Sequence, residues 1–299
     1  DKEMSPIIYA DLGNLYALLG DAESALEAYD RYRSQVGAAV GRIFSDNLAE
    51  CNLRTGRIAE AAAVYEGFYR KNKWERYKKL TELYGAAGME TETRRVLSRW
   101  KKELREAGGM HRFPFFPEKG GDKVSPLQYF NRKGWAELLF GSRRDAVKAF
   151  AGMIRGEKNI DAGLLSDAVF ACILCGDDRR GKLYAEKLRR RLEQDGAEGM
   201  RRYYNAQKSR LQMEFLASYY TETPRKLLEI LDREEKCPAC YSCICPLCKE
   251  MEGAGILFLL QTGHREEAEE KLCRNLEVQP WDEYMLAIKH TVFGEDVVL

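Results

Sequence analysis

The chain has 299 residues, enough for a substantial core, and its 48 Lys and Arg residues nearly balance its 47 Asp and Glu residues. This balance leaves no overall field that would draw nucleic acid or an anionic membrane surface to the protein, so we expect neither as a partner. The sequence contains no apolar run of about 18 residues and its first residues lack the pattern of a secretion signal, which predicts a soluble protein. The odd number of cysteines, nine, and the length favour a reducing cytoplasm.

A helical pattern repeats along the chain. Residues 12–32 read LGNLYALLGDAESALEAYDRY, which predicts two helices joined by a turn at Gly20. The same spacing of small, apolar and aromatic residues recurs at 48–68 and 80–97. Further copies follow at residues 134–150, 168–185 and 256–280, and the resemblance is strong in the first two and the last copies and degenerate between them.

These copies resemble tetratricopeptide repeats, in which about 34 residues form two antiparallel helices. The resemblance implies an all-α fold, a right-handed α-α superhelix of about seven helical pairs. It divides the chain into N-terminal repeats at 1–107, an irregular insertion at 108–126 and degenerate C-terminal repeats at 127–299.

Close helix packing explains the residue types at these positions. Small residues such as Gly13 and Ala25 are expected where two backbones meet, and large ones such as Tyr29 and Phe150 fill the space between repeats. Asp21 is expected to cap the second helix of the first pair. The predicted turn glycines are Gly20, Gly56, Gly88, Gly141, Gly176 and Gly263.

Two intervals between turn glycines exceed one period. The first contains the insertion 108–126, where HRFPFFP cannot continue a helix and either docks a partner or covers an interrupted stack. The second is expected to contain one further pair, with a long helix over 199–220 followed by a helix over 224–236.

A cysteine cluster, CPACYSCICPLC, occupies residues 237–248. Two C-P-x-C units resemble the knuckles of zinc ribbons and rubredoxins, and four thiolates satisfy tetrahedral zinc. The predicted ligands are Cys237, Cys240, Cys245 and Cys248. Because four sulfur ligands leave no position for water, such a zinc ion would stabilise the loop rather than catalyse a reaction.

Two other chemistries stay open for the cluster. Cys237, Cys240 and Cys243 form a C-x-x-C-x-x-C run that fits an iron–sulfur cluster. Cys248 is expected to begin a helix, whose dipole lowers a thiol pKa and favours redox activity. The other four cysteines lie in apolar helical patterns, where a free thiol packs as a small hydrophobic side chain.

Tetratricopeptide domains bind extended peptides on the concave face of the superhelix, and the resemblance transfers this role to the first helices of the pairs. The implied partner-binding residues are Asn14, Glu50, Lys78, Glu82, Asn131, Trp135 and Phe170. Asp46 occupies a further inner position. Trp135 is the best candidate anchor, whereas most lysines of a carboxylate-binding clamp are absent.

The sequence therefore predicts a protein- or peptide-binding scaffold and not an enzyme, because no nucleophile with a base, phosphate loop or open metal site is recognisable. The alternatives are a ligand- or peptide-sensing domain of a larger regulator, an immunity-type inhibitor of a toxin or enzyme, and an iron–sulfur or thiol redox protein.

Overall fold

The computed structural model describes residues 5–37, 42–107, 126–155, 160–200, 206–233 and 246–294. Within these ranges the protein is all-α, with fifteen α-helices, one π-helical turn and no strand. The described residues form two compact units, which divide between Val96 and Leu97.

The first unit contains five complete helices and the start of a sixth. They are α1 (Pro6–Leu19), α2 (Ala22–Val36), α3 (Arg42–Arg54), α4 (Ile58–Phe68), α5 (Lys73–Ala86) and α6 (Glu90–Glu106), which continues into the second unit. Within this unit α1 packs on α2 and α3, and α4 packs on α3 and α5. Neighbouring helices thus bury each other's apolar sides, as the repeat pattern predicts.

The second unit contains the remaining helices. They are α7 (Pro126–Phe140), α8 (Arg143–Arg155), α9 (Ala162–Cys175), α10 (Asp178–Met200), α11 (Ala206–Ser218), α12 (Pro224–Leu231), α13 (Pro246–Gln261), α14 (Arg265–Val278), α15 (Glu283–Ile288) and the π-helical turn Lys289–Phe293. One contiguous apolar core runs through them, with Phe150, Leu188, Phe215 and Leu272 fully enclosed.

The turns follow the predicted pattern with one exception. Gly20 ends α1 with a φ of 86°, a left-handed conformation that residues with a Cβ rarely adopt, and Asp21 then caps α2 by accepting from the Ser24 backbone N–H at 3.0 Å. The same positive φ recurs at Gly56, Gly88, Gly176 and Gly263. Gly141 also lies in the predicted turn, between α7 and α8, but it is not in a left-handed conformation.

Close approach between helices explains two other glycines. A Cβ on Gly13 would lie 2.4 Å from the Tyr29 ring, and a Cβ on Gly134 would lie 2.5 Å from the Phe150 ring. Tyr29 and Phe150 are both buried, so neither ring has free space to move into. Small residues lie where two helices approach closely, as predicted, but each large ring packs on the glycine of its own helical pair, which the sequence pattern did not predict.

Other predicted boundaries need correction. The start of the long helix expected over 199–220 is wrong, because residues 199 and 200 belong to α10, which begins at Asp178; α11 covers Ala206–Ser218, and residues 201–205 lie outside the described residues. By contrast, Cys248 does lie at a helix start, in the first turn of α13, which begins at Pro246. Residues 108–125, with the three phenylalanines of the insertion, lie outside the described residues.

The second unit contains a contact that a linear stack of repeats does not predict. The segment Glu283–Phe293, which we call the C-terminal segment, packs on α13 and α14 but also on α7 and α9, the first helices of this unit's first two helical pairs. In an open array each repeat contacts only its neighbours. The last element of the second unit is therefore held against its beginning.

The close contact at Gly134 generates the first prediction. Gly134→Ala should lower the free energy of unfolding by about 1–3 kcal/mol, because the overlap with Phe150 outweighs the helix propensity of alanine. Gly67→Ala in α4 is the matched control, since a Cβ there meets nothing within 4 Å and should leave stability unchanged or slightly raised. Denaturant unfolding of both variants measures the difference, and equal stability would contradict the packing argument.

Candidate functional site

Asn14 on α1 lies in a hydrogen-bonded group that links two first helices of the first unit. Its side-chain oxygen accepts from the Tyr29 hydroxyl and from the Asn47 amide of α3, both at 2.8 Å. Asn14 is half-buried, and the group fixes its amide in one orientation. The residue is thus held by α2 and α3 rather than free to rotate.

Glu50, Lys78 and Glu82 lie in ion pairs on α3 and α5. Glu50 pairs with Arg54 at 3.2 Å, and Lys78 lies 4.0 Å from Glu82. The side chains of Glu50, Lys78 and Glu82 keep 33%, 32% and 32% of their surface exposed. They therefore remain accessible to a charged group from outside the protein.

Three acidic side chains of α3 and α5 act on the same residue of α4, Tyr65. Burial raises the pKa of Tyr65, and the charges of Asp46, Glu82 and Glu50 raise it further. Asp46 also pairs with Lys79 of α5 at 3.0 Å. Acidic groups from α3 and α5 thus act on one phenol, which places them in one polar region of the first unit.

The second unit contains a carboxylate at the meeting point of three helices. Asp167 on α9 accepts from the Asn131 amide at 2.7 Å and from the Trp135 indole N–H at 3.3 Å, both on α7. Its other oxygen accepts from the Tyr284 hydroxyl of α15 at 3.0 Å. Because a buried carboxylate is costly without donors, these bonds tie α7, α9 and α15 to one another.

Two further interactions hold Glu283 and Tyr284 at this point. The guanidinium of Arg132 on α7 donates to both carboxylate oxygens of Glu283, one of them at 3.0 Å. The Tyr284 ring lies edge-on to Trp135, with centroids 4.8 Å apart, and 4.9 Å from the centroid of Phe170. Trp135 and Phe170 themselves stack at 5.8 Å.

The charge state of Asp167 results from opposing influences. Burial raises its pKa above the ordinary aspartate value, while hydrogen bonds from Asn131, Trp135 and Tyr284 and the charge of Arg132 lower it. Burial is the largest of these, and the pKa is raised overall. A neutral carboxyl group is compatible with this geometry, because the Tyr284 hydroxyl can accept a hydrogen bond as well as donate one.

The π-helical turn after α15 is held by side chains from other helices. Arg143 on α8 donates to the Thr291 carbonyl, and Arg265 on α14 donates to the Val292 carbonyl at 3.1 Å. The His290 Nδ1 lies 2.8 Å from the Leu138 carbonyl oxygen of α7. The backbone and the side chains of the C-terminal segment are therefore both bound by the rest of the second unit.

The structure brings three of the predicted partner-binding residues together. Asn131, Trp135 and Phe170 all contribute to the Asp167 cluster, but they are buried, with Trp135 3% and Phe170 1% exposed. Trp135 and Phe170 contact the protein's own Tyr284, and Asn131 donates to Asp167. The partner-binding role of these three residues stays a prediction, and in this conformation their faces are covered.

Sequence reasoning missed Asp167, Arg132, Glu283 and Tyr284. A signal existed for Asp167, which is the one charged residue in α9, AGLLSDAVFACILC, and an isolated charge in an apolar helix requires a partner. It also lies 36 residues after Asn131, about one repeat. No local signal points to Tyr284, which is 117 residues from Asp167.

The cysteine cluster lies outside the described side chains. Residues 237–245 are not described, and of Cys248 only the helical backbone is. Among the side chains that the structure describes, no group of three or more His, Cys, Asp or Glu residues could hold a metal ion. The zinc ligands Cys237, Cys240, Cys245 and Cys248, and the iron–sulfur alternative, thus stay predictions.

The remaining cysteines behave as core residues where the structure defines their surroundings. Cys51 and Cys172 are fully buried, and Cys175 is half-buried. Burial raises the thiol pKa to about 11 for Cys51, about 12 for Cys172 and about 11 for Cys175. These thiols are protonated at neutral pH, which is unfavourable for nucleophilic or redox chemistry.

The basic stretch of α10 is largely neutralised within the helix. Arg180 pairs with Asp177 at 2.5 Å, and Arg191 pairs with Asp195 at 2.9 Å. Arg190 lies 2.9 Å from Glu186. This pairing is typical of a solvated helix face with alternating charges.

Comparison with known proteins does not place the chain in a family. No protein-family model matches the sequence, and no curated protein matches it. None of the described helices is both long and apolar enough to cross a membrane.

The Asp167 cluster generates a prediction about pH. Because the folded-state pKa is raised above the ordinary value of 3.8, the contribution of Asp167 to stability is fully present below that value. It is lost as the pH rises through the folded-state pKa. Asp167→Asn cannot titrate, so the difference in unfolding free energy, wild type minus variant, should fall as the pH rises from about 3.8 and then become constant.

Denaturant unfolding of wild type and Asp167→Asn across the acidic range measures this difference, and the subtraction cancels the other titrating groups. A difference that increases with pH would show that the hydrogen bonds, and not burial, control the carboxylate.

Proposed function

We propose that this protein is a cytoplasmic scaffold that binds a protein or peptide through the first helices of the first unit, α1, α3 and α5. The observation that carries the proposal is the contrast between the two units. Glu50, Lys78 and Glu82 keep about a third of their side-chain surface exposed. The corresponding positions of the second unit, Trp135 and Phe170, are covered by the C-terminal segment.

The chemistry of this polar surface supports a peptide ligand. Ion pairs that remain partly hydrated contribute little to stability, so a partner's charged groups can replace one member at small cost. The Lys78–Glu82 and Lys79–Asp46 pairs offer both signs of charge within two neighbouring helices. Peptides carry acceptors, donors and charges at short intervals, which matches an alternating surface of this kind. The proposal needs no catalytic group.

We also propose that zinc, bound by Cys237, Cys240, Cys245 and Cys248, stabilises the connection that precedes α13. The support is the paired C-P-x-C spacing in the sequence, which provides four thiolates for one tetrahedral ion. The role proposed for the metal is structural, because ligand binding that accompanies folding adds directly to stability.

Charge reversal tests the binding surface. Glu82→Lys should lower the affinity for a partner that co-purifies with the full chain by about tenfold or more, because it replaces a negative charge of the surface by a positive one and introduces repulsion. Glu66→Lys on an exposed position of α4 is the matched control and should leave affinity unchanged. Equal binding by wild type and Glu82→Lys would remove this surface from the proposal.

Metal analysis tests the zinc proposal. The full chain purified under reducing conditions should contain about one zinc per chain and no visible absorption from iron–sulfur chemistry. Cys237→Ser should lower the metal content and the stability of the C-terminal helices together, whereas Cys273→Ser, outside the cluster, should change neither. Five freely titrating thiols in the cluster without bound metal would show that the proposal is wrong.

A further inference from the structure

The C-terminal segment depends on the rest of the second unit for its order. Its α-helix, Glu283–Ile288, has 6 residues, and isolated helices shorter than about 12 residues are not stable in water. Asp282 caps it, accepting from the Tyr284 backbone N–H at 2.9 Å. The remaining stabilisation comes from α7, α9, α13 and α14, which contact the segment.

Two adjacent side chains of the segment are recognised by different chemistry. Glu283 is bound by the planar fork of Arg132, whose side chain is 6% exposed. Tyr284 places its ring against Trp135 and Phe170. Its hydroxyl donates to Asp167.

Arg132, Trp135, Asp167 and Phe170, which we call the Glu-Tyr site, therefore form a cation, an acceptor and two aromatic surfaces in one place. Buried arginine and aromatic groups of this kind dominate the energy of protein interfaces.

Two further contacts are made to the backbone of the segment, which also has apolar side chains in the core, Met285, Ala287 and Ile288. Arg143 and Arg265 donate to the backbone carbonyls of Thr291 and Val292. Any segment with the same backbone course could accept these bonds. The second unit thus makes two contacts that depend on the identity of the side chain at the start of the segment, and backbone contacts near its end. This arrangement is suited to recognising short peptides.

We propose that the Glu-Tyr site is a peptide-recognition site for a short helical segment that begins with adjacent Glu and Tyr, and that the protein's own C-terminal segment is its exchangeable occupant. A partner carrying the same pair displaces the C-terminal segment and takes its place. This inference rests on the proposed function, since it assigns a second partner surface to a peptide-binding scaffold. Affinity for such a partner is reduced by the fraction of molecules in which the C-terminal segment occupies the site.

The experiment uses the full chain and a fluorescein-labelled peptide of residues 281–294, WDEYMLAIKHTVFG. Anisotropy titrations compare wild type with a Tyr284→Phe chain, in which the C-terminal segment keeps its ring but loses the bond to Asp167. The weakened segment should compete less, so the peptide should bind the variant about fivefold more tightly than wild type. Equal affinity for both chains, or binding to neither, would overturn the proposal.

Variants of the peptide test the recognition chemistry without changing the receptor. With the Tyr284→Phe chain, a Glu283→Gln peptide should bind about tenfold more weakly, because the bond to Arg132 loses its charge. A Tyr284→Phe peptide should bind about fivefold more weakly. A scrambled peptide of the same composition should not bind, and binding equal to that of the natural sequence would show non-specific apolar association and contradict the site.

Hydrogen exchange of the unmodified chain provides a measurement that needs no variant. Amides of residues 283–293 should exchange faster than those of α7 and α9, since the segment opens while those helices stay folded. Added peptide should protect α7 and α9. If the segment exchanges only together with α9, it is a fixed part of the core and the proposal fails. Such a result would not contradict the proposed scaffold function, which is tested separately by the affinity of the Glu82→Lys variant for its partner.

Discussion

A carboxylate that lies among apolar side chains must receive hydrogen bonds, and the Asp167 carboxylate receives three from two helices far apart in sequence. Two donors come from α7 and the third from α15, so the bonds fix the relative positions of three helices in the second unit. The Arg132–Glu283 pair acts at the same contact. Removing any one of these partners would leave a buried polar group, which costs more than the net energy of the bond itself.

The two units differ in how much of their first-helix surface a partner can reach. In the first unit the polar group of Asn14 is satisfied by neighbouring helices, and the ion pairs of α3 and α5 remain partly hydrated. In the second unit the corresponding surface is covered by an element of the same chain. Accessibility, rather than residue type, is therefore the reason for proposing the scaffold surface on the first unit, whereas a partner could reach Trp135 and Phe170 only if the C-terminal segment left them.

Local rules predicted much of the fold. The close helix approach at Gly13 and Gly134, the left-handed turns and the Asp21 cap follow from short-range sterics and hydrogen bonding, which spacing along one helical pair already encodes. Predictions over longer ranges were less accurate. The helix expected to begin at residue 199 was placed wrongly, because periodicity alone does not locate a helix end; residues 199 and 200 belong to α10.

The sequence by itself determined that the chain is helical, how its helices pair and which positions of the first helices bear polar or aromatic groups. Only the tertiary structure decided that Trp135 and Phe170 contact Tyr284, that Asn131 donates to Asp167, and that Asp167 and Arg132 belong to the same site. The physical reason is distance along the chain. A contact between residues more than a hundred positions apart, such as Asp167 and Tyr284, leaves no periodic trace, since it depends on how all the intervening helices pack.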